Sequence, residues 1–554
     1  MSVREDIELI RAVIAANDAR WDRDKAFLKR LRALYATRFW SQHKDVLYGE
    51  NSIKVETADA YSFVESFVAS LFTRAPSVEV AHDASHDGNP ELTRECVNSF
   101  LHRQREEQER ATRLALIYPF ACFKLAPATS QDLLNRVAMR ACPPWEMLLD
   151  LDADRWEEQR WVGHQYFLTL PEAKSIYGAK KYKARQKEFF FEEDGRGAQG
   201  AQSNQDRDQA TAPEEYQYIK VVELWNLEAD KLLVWSPDFA DGQRLLKREK
   251  IPLRDYDDAP MSTVVPLYYS TEPDNPLEGY STMRRSYDQF VEKNIFRTAM
   301  ANQIRRNTRQ YLARKGELNP EELAKLTSGK DGAIAEYEGS RALSEVIREL
   351  DKSNLSTDFD KHLQYMDADM SRSSLLAPFT KGEATKATAT EVTALASYSA
   401  SEIGRLARQR DSAIEKLAHV VTRIFHLYAD EGEKAVVVSD GEPKVVTPEA
   451  LNGRFRYTAL DQASTPLSDA LKRQQFLALL PNLQAVGIPV DKLRAHMVRE
   501  FDLPTDFLDV PEEPDDPSRV KGVDTGIVPT APRGTDAEML AQSLRTMPTS
   551  GGPQ

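Results

Sequence analysis

Between residues 392 and 428 the apolar positions Val392, Leu395, Ser399, Ile403, Leu406, Arg410, Ile414, Leu417, Val421, Ile424 and Tyr428 step by threes and fours. That is helical spacing sustained over about ten turns. So long a stripe must be covered, either by a partner helix in a coiled coil or by the rest of the chain packing round a spine. A coiled coil needs a continuous apolar seam flanked by charged pairs, whereas Ser399 and Arg410 interrupt this one. The spacing therefore predicts a spine helix, and the remaining segments must supply the other side of its core.

Upstream, helical periodicity runs through residues 7–40, with a polar stretch at 17–20 that predicts a break. It returns at 56–72, on the stripe Tyr61, Val64, Val68 and Leu71, and at 90–118. Residues 120–269 change to short β-rich runs at 136–141, 161–168, 216–225, 232–235 and 264–269, which makes the chain α+β. The Gly-, Gln-, Asp- and Ala-rich segment 192–215 has little to bury and reads as a mobile loop. A helix over 281–311, a compact mixed segment 312–350, a helix over 355–376 and a loop over 377–390 lead into the spine. Beyond it come strands at 435–438 and 453–460 and helices at 468–480 and 491–501. The Pro-, Gly-, Ser- and Thr-rich tail 511–554 is expected to be mostly disordered.

Composition narrows the function. A formal net charge of −14 across 554 residues argues against a protein whose main work is gripping phosphates. It still allows DNA to pass close by, because an acidic wall repels a polyanion. Cys96, Cys122 and Cys142 match no paired metal motif and are expected to be buried free thiols in a reducing compartment. The longest nearly apolar run, 114–123, is about half of what crosses a bilayer. With no apolar core before a cleavage site at the N-terminus, a soluble, cytoplasmically made chain is expected.

Catalytic signatures are missing from the sequence: there is no phosphate-binding loop, no nucleophile elbow and no HExxH pair. No catalytic residue, metal or cofactor is therefore expected. Asp150, Asp152 and Asp154 have the alternate spacing of a calcium loop, but Arg155 stands where glycine is needed and Trp161 where a glutamate is needed. A solvated turn is the expectation there. His419 and His426 are expected on the polar side of the spine rather than on a metal.

The segment 281–315 carries Arg284, Arg285, Lys293, Arg297, Arg305, Arg306, Arg309, Arg314 and Lys315 against Asp288 and Glu292. Nine minus two leaves +7 inside an acidic protein, a partner-surface signature. Val291, Ile295, Phe296, Met300 and Ile304 cover a wide arc of the same helix, which suits contact on two sides.

Several strings, in this order, resemble the portal proteins of tailed bacteriophages. They are Thr57-Ala58-Asp59-Ala60-Tyr61 through Thr73-Arg74-Ala75-Pro76, Pro143-Pro144-Trp145-Glu146-Met147-Leu148-Leu149-Asp150, and Arg160-Trp161-Val162-Gly163-His164 leading to Pro171-Glu172-Ala173-Lys174. Pro273-Asp274-Asn275-Pro276-Leu277-Glu278-Gly279-Tyr280-Ser281 and Thr385-Lys386-Ala387-Thr388-Ala389-Thr390-Glu391-Val392 complete the set. The resemblance covers about residues 50–480.

It implies a portal fold: an α/β wing over 1–280, a stem helix over 281–311, a small α/β clip over 312–350 and a second stem helix over 351–376. A tunnel loop over 377–390, a wing spine helix with strands over 391–464 and a helical crown over 465–510 would follow. It further implies a dodecameric ring at the capsid portal vertex, made in the host cytoplasm. Such a ring is the channel for genome packaging and ejection, with no enzyme activity and no membrane. The implied partners are the terminase large subunit at the clip, a head-tail adaptor, the major capsid and scaffolding proteins, and transient double-stranded DNA. Lys381, Lys386, Thr385 and Thr388 would line the channel, and Arg297, Arg305, Arg306 and Arg309 would form the basic face of the stem. The competing readings are another helical phage structural or scaffolding protein, which would lack the β-rich half, and a nucleic-acid enzyme, for which only Asp150, Asp152 and Asp154 offer a start.

Overall fold

A buried asparagine decides how the chain begins. In the computed structural model, α1 (Val3–Tyr35) opens with a capping box between Ser2 and Glu5 and runs unbroken through the polar stretch expected to interrupt it. Asn17 faces inward there. Its Nδ2 donates to the carbonyls of Val13 (3.0 Å) and Leu149 (2.9 Å), and its Oδ1 accepts from the Leu149 amide (3.2 Å). The polar residue ties the helix to a strand instead of ending it.

The structure describes residues 2–43, 52–73, 75–83, 87–127, 133–178, 180–191, 217–273, 279–306, 311–313, 319–327, 347–349, 358–374, 389–428, 435–439 and 442–460. Met1–Lys472 forms one compact unit and Arg473–Gln554 a second. The expected loop at 192–215, the helices at 468–480 and 491–501 and the tail at 511–554 lie outside the described residues.

After α1 come α2 (Phe39–Gln42), α3 (Asp59–Leu71) and strand β1 (Val78–His82). The buried side of α3 is Phe63, Val64, Phe67, Val68 and Leu71; Tyr61, expected on that stripe, is exposed. The single helix expected over 90–118 is two, α4 (Pro90–Arg103) and α5 (Arg105–Ile117), joined at Gln104. Gln108 stabilises the break by donating to the Leu101 carbonyl at 2.7 Å, a group that the end of α4 leaves without a helical partner.

The β-rich region comprises β2 (Ala121–Pro127), β3 (Val137–Cys142), β4 (Met147–Leu149), β5 (Trp161–Thr169), α6 (Leu170–Tyr177), β6 (Tyr218–Asn226), β7 (Lys231–Trp235), β8 (Leu245–Glu249) and β9 (Val264–Leu267). They form an antiparallel sheet in the order β3-β2-β9 and a second in the order β4-β5-β6-β7-β8. The second sheet is covered on both faces, as alternation along β6 requires. Val222 and Leu224 meet Ile7, Ile10 and Val13 of α1, while Ile219 and Val221 meet Leu170 and Ala173 of α6. Buried Asp6 of α1 is neutralised by Arg248 (2.8 Å) and Lys231 (3.4 Å) of the same sheet.

Then follow α7 (Tyr287–Arg306), β10 (Tyr311–Ala313), α8 (Pro320–Thr327), β11 (Ile347–Glu349), α9 (Asp358–Ser374), α10 (Ala389–Tyr428), β12 (Ala435–Ser439), β13 (Glu442–Val446) and β14 (Phe455–Ala459). Three boundaries differ from expectation. Residues 282–286, expected in the helix, form a 3-10 helix ahead of α7. Tyr311 belongs to a strand rather than to the end of α7, and Ala389 and Thr390 are helical rather than loop. Gly279, just ahead of α7, sits so close to Pro119 that a Cβ would overlap the Pro119 carbonyl, so the approach requires glycine.

The spine is real. Ile403, Leu406, Arg410, Ile414, Leu417, Val421 and Ile424 of α10 are all buried, and β2, β9, β14, α3 and α4 of the same chain pack on the helix. Arg410 does not interrupt the stripe: it is 1% exposed and belongs to the core.

Candidate ring and channel elements

After the buried Phe290, the side of α7 that turns inward is polar. Asn294, Thr298 and Asn302 recur every four residues and are buried, and they hold the extended segment 52–58 by its backbone. Asn302 accepts from the Ile53 amide (2.9 Å) and donates to its carbonyl (2.7 Å). Thr298 does the same with Val55 (2.9 and 3.2 Å), and Asn294 accepts from the Thr57 amide (2.9 Å). Four residues of helix advance about 6 Å and two residues of extended chain slightly more, so the two repeats stay in step over the ladder. The signal in the sequence is the Asn294-x3-Thr298-x3-Asn302 spacing, which a search for apolar stripes passes over. Asn302→Leu, which strands both backbone groups of Ile53, is expected to cost about 2–3 kcal/mol. The check is urea denaturation against Arg297→Gln, whose exposed site predicts almost no change.

The apolar arc of α7 divides beside the ladder: Val291 and Ile295 are half-buried against the main core, Phe296 and Met300 are half-buried, and Ile304 is 49% exposed. On α9, which packs beside α7, Met366 and Met370 are buried while Tyr365 is 68% exposed. Lys293 joins the neighbouring helices, with Nζ 3.0 Å from Asp59 Oδ1 of α3 and 2.7 Å from Asp367 Oδ1 of α9. Burial works against its charge, but the two carboxylates outweigh it and hold the amine above its usual pKa. β10 pairs antiparallel with β11, Leu312 opposite Arg348, so a two-stranded ladder closes the insert between α7 and α9.

The basic residues of this region divide. Lys293 serves the α3–α7–α9 contact, Arg284 lies 5.3 Å from the Phe27 ring, and Arg285 donates to Tyr280 Oη at 3.2 Å. Arg297 is exposed; Arg305 and Arg306 are on α7, and nothing is described of their side chains. Arg309, Arg314 and Lys315 lie outside the described residues, as do Lys381, Thr385, Lys386 and Thr388 of the expected tunnel loop.

The acidic turn after β4 corrects its expectation in part. Asp152 and Asp154 are exposed, but Asp150 is buried and held by Arg160 at 2.5 and 2.8 Å, with Asp152 on the same guanidinium at 3.0 Å. Burial pushes the Asp150 carboxyl up; the bidentate pair outweighs it and keeps the group below its usual pKa. Asp150 and Asp152 therefore serve a structural ion pair, while Asp154 stays in the expected exposed turn. His419 pairs with Asp255 at 3.0 Å and stacks on Tyr256, and His426 Nδ1 lies 3.4 Å from the Pro448 carbonyl. Cys96, Cys122 and Cys142 are buried thiols outside any disulfide. Among the described residues, no helix is long and apolar enough to cross a membrane.

A family model described as the phage SU10 portal protein matches residues 80–486, most of the chain. The chain belongs to this family. It is thus a phage portal protein, a virion component from a structural rather than an enzymatic family. No curated protein matches it. In this portal protein the strings that carry the resemblance are contact points. Thr57 meets Asn294, Asp59 meets Lys293, Arg160 meets Asp150, and Gly279 abuts Pro119. Pro171 and Glu172 belong to the α6 start, where Thr169 and Glu172 form a capping box.

Proposed function

We propose that this portal protein forms a ring at the capsid vertex, through which the genome enters during packaging and leaves on ejection. In this reading residues 1–280 and the α10 region 391–464 form the wing, α7 (within 281–311) and α9 (within 351–376) the stem, 312–350 the clip and 377–390 the tunnel loop. Residues 465–510 form the crown. The clip docks the terminase large subunit and later the head-tail adaptor, and capsid and scaffolding proteins surround the wing. Lys381, Lys386, Thr385 and Thr388 touch passing phosphates briefly, and the net charge of −14 keeps the DNA from sticking.

The observation that carries the ring is the orientation of α7. A helix that turns its polar ladder inward and leaves Ile304, with Tyr365 of α9, at the surface suits a second copy packing against it. A head-to-tail repeat of that contact closes into a ring. Electron microscopy of the purified chain should give annular particles of about twelve copies. Ile304→Asp should shift the population toward monomers in light scattering while leaving the circular dichroism spectrum unchanged. Consistent monomers of the wild-type chain under all conditions would overturn the ring.

A further inference from the structure

β3 ends at Cys142, one turn of 3-10 helix over Pro144–Glu146 follows, and β4 then pairs with β5 so that Met147 lies opposite His164. This path brings three donor atoms together. Cys142 Sγ is 3.4 Å from His164 Nε2, which is 3.5 Å from Glu146 Oε2, and all three lie within 4.8 Å of one another. Cys142 and His164 are buried; Glu146 is partly exposed. Arg140 touches two of the three: its carbonyl lies 3.8 Å from Cys142 Sγ and its guanidinium 3.2 Å from Glu146 Oε2. Nε2 carries either a hydrogen or a lone pair, so it donates to Glu146 or accepts from Cys142 but not both.

Thiolate, imidazole and carboxylate are zinc donors, and metal–ligand lengths of about 2.0–2.3 Å put neighbouring donors on a tetrahedron about 3.4–3.6 Å apart. The two separations here fall in that range. We propose that Cys142, Glu146 and His164 bind a zinc ion, with water as the fourth ligand on the exposed side of Glu146. Binding releases the Cys142 proton to solvent, so Zn2+, thiolate and carboxylate sum to zero charge. The adjacent Lys124–Glu223 pair is also neutral, and the buried region as a whole stays uncharged. Because Cys142 belongs to the three-stranded sheet and His164 to the five-stranded one, the ion joins the two sheets.

The test uses the full chain purified without a histidine tag and equilibrated with zinc or cobalt, then freed of excess metal. Elemental analysis should find about one zinc per chain, and the cobalt form should show thiolate-to-metal charge-transfer absorption in the near ultraviolet. Cys142→Ser and His164→Ala should each weaken metal affinity at least about tenfold, whereas Cys96→Ser should bind as wild type. If the variants do not fold, wild-type protein stripped by a chelator and reloaded with cobalt decides by its spectrum. Zinc below about a tenth of an equivalent in wild type, a cobalt form lacking the thiolate band, or unchanged binding by Cys142→Ser would overturn the proposal.

Discussion

Glu223→Gln is expected to lower the stability of the chain by about 3–5 kcal/mol, because it leaves a buried ammonium without its counter-charge. Lys124 Nζ lies 2.9 Å from Glu223 Oε2, 2.9 Å from Thr263 Oγ1 and 3.6 Å from the centre of the Trp225 ring. Tyr166 donates to the other oxygen of Glu223 at 2.7 Å. The Lys124 and Glu223 side chains are only 9% and 19% exposed, so solvent screens the pair weakly. Exchanging both partners for apolar residues, Lys124→Met with Glu223→Leu, should recover most of the loss, since the cost lies in the orphaned charge rather than in the absent bond. A double variant as unstable as the single one would refute that account.

The pair also sets an acid limit. Burial raises the pKa of Glu223, but Lys124 and Tyr166 outweigh it, and the carboxyl titrates below its ordinary 4.5. A carboxylate with a depressed folded-state pKa contributes stability that is complete above the unfolded value and disappears as the pH falls through the folded one. The wild-type urea midpoint should therefore fall below about pH 4.5. In Glu223→Gln that part of the acid dependence should be absent.

How much of this was legible in the sequence depends on whether a feature rests on period or on register. The α10 stripe is a matter of period, and every position from Ile403 to Ile424 predicted on it is buried. The strands of the five-stranded sheet were found at 161–168, 216–225 and 232–235 for the same reason, whereas β8, an edge strand reading Leu-Leu-Lys-Arg-Glu, offers no alternation to detect. Polar residues misled. Asn17 and Arg410 looked like interruptions and are buried contacts whose partners, Leu149 and Leu71, lie far away in sequence. The convergence of Cys142, Glu146 and His164 depends on the β4–β5 register, which no local spacing encodes. The tunnel-loop residues Lys381, Lys386, Thr385 and Thr388 came from family resemblance alone and lie outside the described residues.

Arg410→Ala should cost about 3–5 kcal/mol, and the reason ties the spine to the proposed stem. Nε and Nη2 of Arg410 bond Asp411 Oδ1 at 2.8 and 2.6 Å, and Nη1 donates to the carbonyl of Leu71, the last residue of α3. The final carbonyls of a helix have no partner within it. Here α10 supplies one for Leu71, and Arg105 of α5 supplies another for Phe72 at 2.7 Å. Alanine removes the donor, strands the Leu71 carbonyl and takes the Arg410 cation from the Asp411 carboxylate, which is 17% exposed. Arg410→Lys keeps the charge but cannot reach both partners with a planar fork, so an intermediate loss is expected. The measurement is urea denaturation of the two variants beside wild type, and equal stability of all three would contradict the role. The other end of α3 carries Asp59, which holds Lys293 of α7. One short helix therefore connects α7 to α10, and loosening it at Arg410 should also reduce ring yield in electron microscopy, although Arg410 itself is too deeply buried to touch a neighbouring copy.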